Sequence, residues 1–266
     1  MKTLSRIYTA LIFTFLYLPI AVLIVFSFND SKNRVKWHGF TLSWYEKLFR
    51  NEQILDALRV TLEIALLAAL IATVIGTMAA VGLYSMKGRP RRLLMVLNNI
   101  PMINPEIVTG ISMMLMFVAI YRVTGLLRPG FFTLLLAHVT FCIPYVVLQV
   151  LPKLRQMNRH MYEAALDLGC HPLPAFFKVV MPEIMPGVIT GALMAFTMSL
   201  DDFVISYFNS GSTAQTLSVT IYTMTKRPVT PEINALSTLM FGGVLILLVV
   251  VNVFQARDLK KQKGRG

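Results

Sequence analysis

Apolar residues in this chain neither alternate nor keep to one helical stripe. They run in blocks of about 20, the length that carries a helix across a hydrocarbon core of roughly 30 Å. Blocks at about 7–28, 57–84, 93–121, 131–151, 186–208 and 233–255 predict six transmembrane helices. The expected fold class is therefore all-α and integral to a membrane. Pro19 falls inside the first block, where neighbouring helices can satisfy the carbonyl it frees. The third block is too long for one straight span and carries Asn98, Asn99, Pro101, Asn104 and Pro105. It predicts a short entering segment, a break near Pro105 and a fresh start at Glu106. Between the first two blocks, TLSWYEKLFRNEQILDALRV repeats its apolar residues at three- and four-residue spacing. That spacing predicts an interfacial helix feeding the second span. No internal repeat stands out, and a single transmembrane domain over 1–266 accounts for the chain.

Composition supports this reading and narrows it. The chain is 56% hydrophobic and 14% charged, against about 25% charged in a soluble domain. Its net charge of +12 does not point to nucleic acid, because no basic stripe alternates with aromatics. Lys and Arg gather instead at the block ends, as orientation by positive charge requires. With the amino terminus inside, 15 of the 25 Lys+Arg lie on inner segments, which include Lys2, Arg6, the KGRPRR loop, the 152–182 loop and the tail. RDLKKQKGRG at the end reads as an anchor for anionic lipid. The first block follows Lys2 and Arg6 but has no small-residue cleavage site, so it reads as a retained helix. Cys142 lies in an apolar block and Cys170 in the inner loop, which excludes a bridge between them. No His/Cys cluster has metal-ligand spacing, and the methionines read as span packing.

The loop between the fourth and fifth blocks carries the most specific pattern, EAALDLGCHPLPAFFKVVMP over 163–182. Glu163, Ala164 and Ala165 begin a short helix of good formers, and Gly169 supplies a left-handed stop. Small alanines keep the helix slim enough for a groove on a partner. Glu163 can meet a cation there, and Arg155, Arg159 and Lys178 can meet acids. Pro172–Pro174 forces a turn, and two short helices at an angle are expected.

This spacing, E-A-A-x3-G-x9-V-x-M-P, resembles the signature of ABC importer permeases, with Val and Met standing for Ile and Leu. The resemblance implies a type I importer permease fold whose 152–182 loop is a cytoplasmic coupling segment, docking on the ATPase through Glu163, Ala164, Ala165 and Gly169. Further stretches narrow the resemblance: FNDSKNRVKWHGFTLSWYEKL, NPEIVTGISMMLMF, LAHVTFCIPYVV, AFTMSLDDFVISYF and TPEINALSTL. Together they are similar to the C-type permease of spermidine/putrescine importers. That family implies a second homologous permease, an ATPase dimer and an extracytoplasmic polyamine-binding protein as partners, in a bacterial inner membrane with both termini cytoplasmic. It also implicates residues matching Trp44, Glu106, Ser199, Asp201 and Asp202 in uptake. No cofactor is expected on this chain; ATP and Mg would sit on the partner ATPase.

The residues themselves fit a cationic cargo. Glu63, Glu106, Asp201 and Asp202 fall within the expected spans, where an ionised carboxylate costs about 2.5–3.5 kcal/mol on insertion scales. Separated carboxylates with apolar contact between them suit a flexible chain of ammonium groups. Asp202 shares a stripe with Ser199 and Ser206, and Asp201 with Thr197 and Thr190, which favours Asp202 as path-facing. Other readings remain open at this point. The Asp pair can bond to a partner permease, Glu63 can reach the headgroups, and Trp44 with Tyr45 can be interface anchors. His138 reads as a satisfied intramembrane polar group. The cargo can be putrescine alone or an iron chelate. A secondary transporter using Asp201 or Glu106 is the more distant rival. The chain has no glycine-rich phosphate-binding loop and is not expected to bind ATP that way. An intramembrane enzyme would need a nucleophile or metal ligands, and it is set aside because Ser199 is expected to lack a nearby histidine.

Overall fold

The computed structural model describes residues 2–31, 36–226, 233–246 and 249, with backbone only for residues 2–5 and Arg159. All its regular elements are helical. The described residues divide into two compact units, one holding those up to Asp56 and those from 220 to 249, the other Ala57–Val219.

The first unit opens with α1 (Lys2–Phe26), which contains Pro19. Its described side chains are apolar and exposed almost throughout, as expected of a helix facing lipid or another helix. A tight loop follows, in which Asn29 is the hub. Its side chain donates to Lys36 O and accepts from the His38 amide, both at 2.9 Å, and its backbone forms an isolated bridge to Phe40. Next come α2 (Ser43–Arg50) and the start of α3 (Glu52–Ser85). Helix α2 covers only the first half of the helix expected from the apolar spacing, with Trp44 and Leu48 turned inward; the pattern is interrupted at Asn51 and its second half belongs to α3. The first unit also holds most of α11 (Leu217–Thr225) and α12 (Ile233–Ile246). The rest of the sixth expected span and the basic tail lie outside the described residues.

The second unit continues α3 and adds α4 (Gly88–Ile103), α5 (Glu106–Thr124), α6 (Phe131–Gln156) and α7 (Arg159–Asp167). Then come α8 (Pro172–Ala175), a π-helical turn (Phe176–Val180), α9 (Met181–Asp201) and α10 (Val204–Asn209). Helix α6 is its centre, and Leu134, Ala137, Cys142, Val146, Val147 and Val150 are fully buried. Burial of apolar side chains does not by itself drive helices together in lipid, so close backbone approach has to. Gly187, Gly191 and Ala195, four residues apart, give α9 a smooth buried face. A Cβ on Gly187 would stand 2.8 Å from Gln149 O on α6, so that contact requires glycine.

Among the described residues, five helices are long and apolar enough to cross a membrane: Arg6–Phe26, Glu52–Ser85, Glu106–Thr124, Phe131–Gln156 and Pro172–Asp201. The expected interruption at Pro105 is present, since α4 ends at Ile103 and α5 begins at Glu106. Several boundaries differ from expectation: the second long helix starts at Glu52, not 57, and the fourth runs to Gln156, not 151, into the expected loop. The fifth long helix starts at Pro172, not near 186, because the π-helical turn joins the second loop helix to the span without a break. It also stops at Asp201, not 208, because Asp202 takes an extended conformation.

Candidate functional site

The break after Asp201 is built by the aspartate that follows. Asp202 has ψ 129°, so the helical bonds stop there. Its carboxylate then folds over the next helix, accepting from the amides of Ile205 (3.3 Å) and Ser206 (2.7 Å). These are orphan donors at the start of α10, satisfied as an N-cap aspartate satisfies them. Asp202 is only 8% exposed. His138, fully buried on α6, bridges the two sides of the break. Its Nδ1 shares a hydrogen bond with Ser199 Oγ at 2.7 Å and its Nε2 one with Ser206 Oγ at 3.0 Å. Asp202 Oδ2 lies 3.6 Å from the same Nε2.

The stripe Ser199–Asp202–Ser206 is therefore brought together as the helical spacing suggested, but it faces inward around His138. Asp201, its neighbour in sequence, is exposed. The expectation that Ser199 lacks a nearby histidine is corrected: His138 is a partner from 61 residues away. Ser, His and Asp thus meet here, yet Ser199 and His138 are both buried. Both are enclosed in this structure, where the cluster ties α6 to the two sides of the break.

A second break lies beside the first. Helix α10 packs against α5 and α6, and Asn209 Nδ2 donates to Gly110 O at 3.2 Å. A Cβ on Gly110 would stand 3.5 Å from Val204 O and 3.1 Å from the Phe208 ring. Gly110 is one turn after Glu106, and Val204 opens the helix after Asp201–Phe203. Two interrupted helices thus meet near their breaks, each with an exposed carboxylate, Glu106 on one and Asp201 on the other.

The remaining candidates sit apart from this cluster. Glu63 on α3 is engaged by Arg59 at 2.7 Å, an i,i+4 pair. Trp44 is 6% exposed and its Nε1 donates to Asn29 O at 2.8 Å. The Lys47 ammonium covers its ring at 4.6 Å, and Tyr45 bonds Ser27 Oγ at 2.7 Å. In this structure Trp44 anchors the loop after α1.

The coupling segment is built locally. The Asn158 side chain accepts from the His160 amide at 3.0 Å and caps α7. At the other end Gly169 has φ +82°, Cys170 N donates to Ala165 O (3.0 Å) and Gly169 N to Leu166 O (2.9 Å). This is the paired closure that a glycine in the left-handed region permits. Glu163 and Ala164 are exposed on α7, and His160 Nδ1 lies 3.2 Å from Glu163 Oε2. Leu168 (89% exposed), Leu173 and Phe177 also stand out from the surface.

Residues 72–258 match the family of binding-protein-dependent transport system inner membrane components, and the chain belongs to that family. It is thus a multi-pass membrane permease. It is 41% identical over 252 residues to the putrescine transport system permease protein PotI of Escherichia coli, a match covering 94% of this chain and 90% of the relative. To the spermidine/putrescine transport system permease protein PotC of Haemophilus influenzae it is 38% identical over 255 residues, 96% of this chain and 97% of the relative. In fold it is similar to a chain of a bacterial ABC transporter involved in the import of the acidic polysaccharide alginate. That match has a TM-score of 0.74 with 14% identity, and covers 95% of each chain.

Proposed function

We propose that this chain is one permease subunit of an ATP-driven, binding-protein-dependent polyamine importer, carrying putrescine, spermidine or both. The observation that carries the reading is its similarity, over nearly the full length, to permeases named for those cargoes. Both units serve one transmembrane domain. It forms half of the path and works with a second permease, an ATPase dimer that binds ATP and Mg, and an external binding protein. The chain itself is not an enzyme and holds no cofactor.

The site geometry supports a division of labour between adjacent aspartates. Asp201 and Glu106 offer separated carboxylates at two packed helix breaks, suited to the ammonium groups of one flexible cargo. Ionised carboxylates in a span are costly unless they are partnered or perform a task, and a passing polyamine supplies the partner. Asp202, Ser199 and His138 hold the break that presents Asp201. Trp44 acts by bracing the loop after α1. On the cytoplasmic side, Glu163, Ala164, Ala165 and Gly169 form the docking helix. ATP-driven closure of the ATPase pulls on that helix and rocks the spans from inward- to outward-open.

Reconstitution in proteoliposomes with the partner subunits tests this directly. Labelled putrescine and spermidine should enter only when ATP reaches the ATPase face, and an uncoupler should have no effect at constant ATP. A complex whose ATPase responds to its binding protein only with a different ligand would discard the polyamine reading and keep the permease.

A further inference from the structure

A cavity of about 470 Å³ lies where the end of α3, the start of α4, the end of α6, α7 and the π-helical turn converge. Its lining is divided by chemistry. Lys87 and Arg91 bring two positive charges to one side, while Val81, Leu154, Phe176 and Val180 contribute an apolar side. Among the described residues neither cation is paired with an acid. Glu163 of the coupling helix also faces the space, though His160 already stands beside its carboxylate.

We propose that this cavity binds the phosphate-bearing headgroup of an anionic phospholipid. Three observations converge on that ligand. The cavity sits at the ends of α3 and α6, helices long enough to span the bilayer, so it lies at headgroup depth. It is cationic on one side and apolar on the other, which suits a phosphodiester joined to the first carbons of its acyl chains. A soluble anion would gain nothing from the apolar side. Finally, basic pockets between transmembrane helices on the cytoplasmic side are where anionic headgroups bind. The volume falls within the roughly 300–1,000 Å³ range of small-ligand sites. Because Glu163 borders the same space, an occupying lipid would touch the helix that docks on the ATPase. Lipid composition would then tune coupling. None of this depends on which cargo is carried.

The test uses the assembled transporter in phosphatidylcholine nanodiscs doped with a photoreactive phosphatidylglycerol, its diazirine placed next to the headgroup. Labelled peptides are mapped by mass. Wild-type protein should label within 81–91 and 154–180. Lys87→Ala with Arg91→Ala should reduce that labelling roughly thirty-fold, the combined effect of two surface cations on an anionic lipid. The charge-preserving pair Lys87→Arg with Arg91→Lys should restore it, which separates loss of charge from loss of fold. Equal labelling in the alanine variant, or failure of the charge-preserving pair to restore it in an assembled complex, would overturn the proposal. Competition by inorganic phosphate would overturn the lipid assignment in favour of a soluble anion.

Discussion

The coupling helix and the break after Asp201 are assembled from opposite kinds of contact. Helix α7 is made by neighbours: a cap two residues away at Asn158 and a glycine closure within five residues at Gly169. Its outward surface is left for something else, with Glu163 and Leu168 exposed. The break has a local cap, Asp202 on the Ile205 and Ser206 amides, but it is tied by a distant residue, with His138 reaching Ser199 and Ser206 across 61 and 68 positions. Its polar groups are turned inward and mutually satisfied. One region leaves its surface open, as the proposed docking requires, while the other is an internal cluster beside which Asp201 stays exposed.

Removing the tie should have the largest effect on stability. His138→Leu leaves Ser199, Ser206 and Asp202 with fewer partners in a buried space, at about 1–3 kcal/mol for each polar group left unsatisfied. Thermal unfolding in nanodiscs should show a clear fall in Tm, and uptake should fall with it. An unchanged Tm would mean that the cluster holds nothing together. Gly169→Ala forces a Cβ into the left-handed region at about 1–2 kcal/mol, a strain that the open space around it does not relieve. Tm should therefore fall, by less than in His138→Leu. Stimulation of the ATPase by the loaded binding protein should drop severalfold, because α7 no longer ends where the partner expects it. Normal stimulation would remove Gly169 from the coupling machinery.

This contrast also explains what the sequence made legible. The coupling segment is a local motif, so spacing alone located Glu163, the helix and its glycine stop. The interruption before Glu106 was legible because Asn104–Pro105 disfavours helix continuation from both sides. The break at Asp202 has no proline or glycine to announce it, and LDDFVIS reads as an unbroken apolar helix. Asp202 caps the Ile205 and Ser206 amides, and its distant neighbour His138 lies 3.6 Å from the same carboxylate. His138 was legible as a satisfied intramembrane polar group, which its bonds to Ser199 and Ser206 make it, but the same gap in information hid which partners it would find. Trp44 read as a path residue or a membrane-interface anchor, and its bond to Asn29 O, made by a loop residue with no signal of its own, was not legible. The π-helical turn at 176–180 was hidden behind Pro172 and Pro174, which read as a stop but serve as the first turn of a long helix.

The central claim is that two adjacent aspartates do different jobs, and one paired measurement tests it. Asp201→Asn and Asp202→Asn are compared in the assembled complex for ATP-driven polyamine uptake and for thermal unfolding. Asp201→Asn should reduce uptake by roughly tenfold, equivalent to about 1.4 kcal/mol, at an unchanged Tm. Asp202→Asn should lower Tm, because one of its two caps on α10 is replaced by a donor facing a donor. Normal uptake with Asp201→Asn, or an unchanged Tm with Asp202→Asn, would contradict the account.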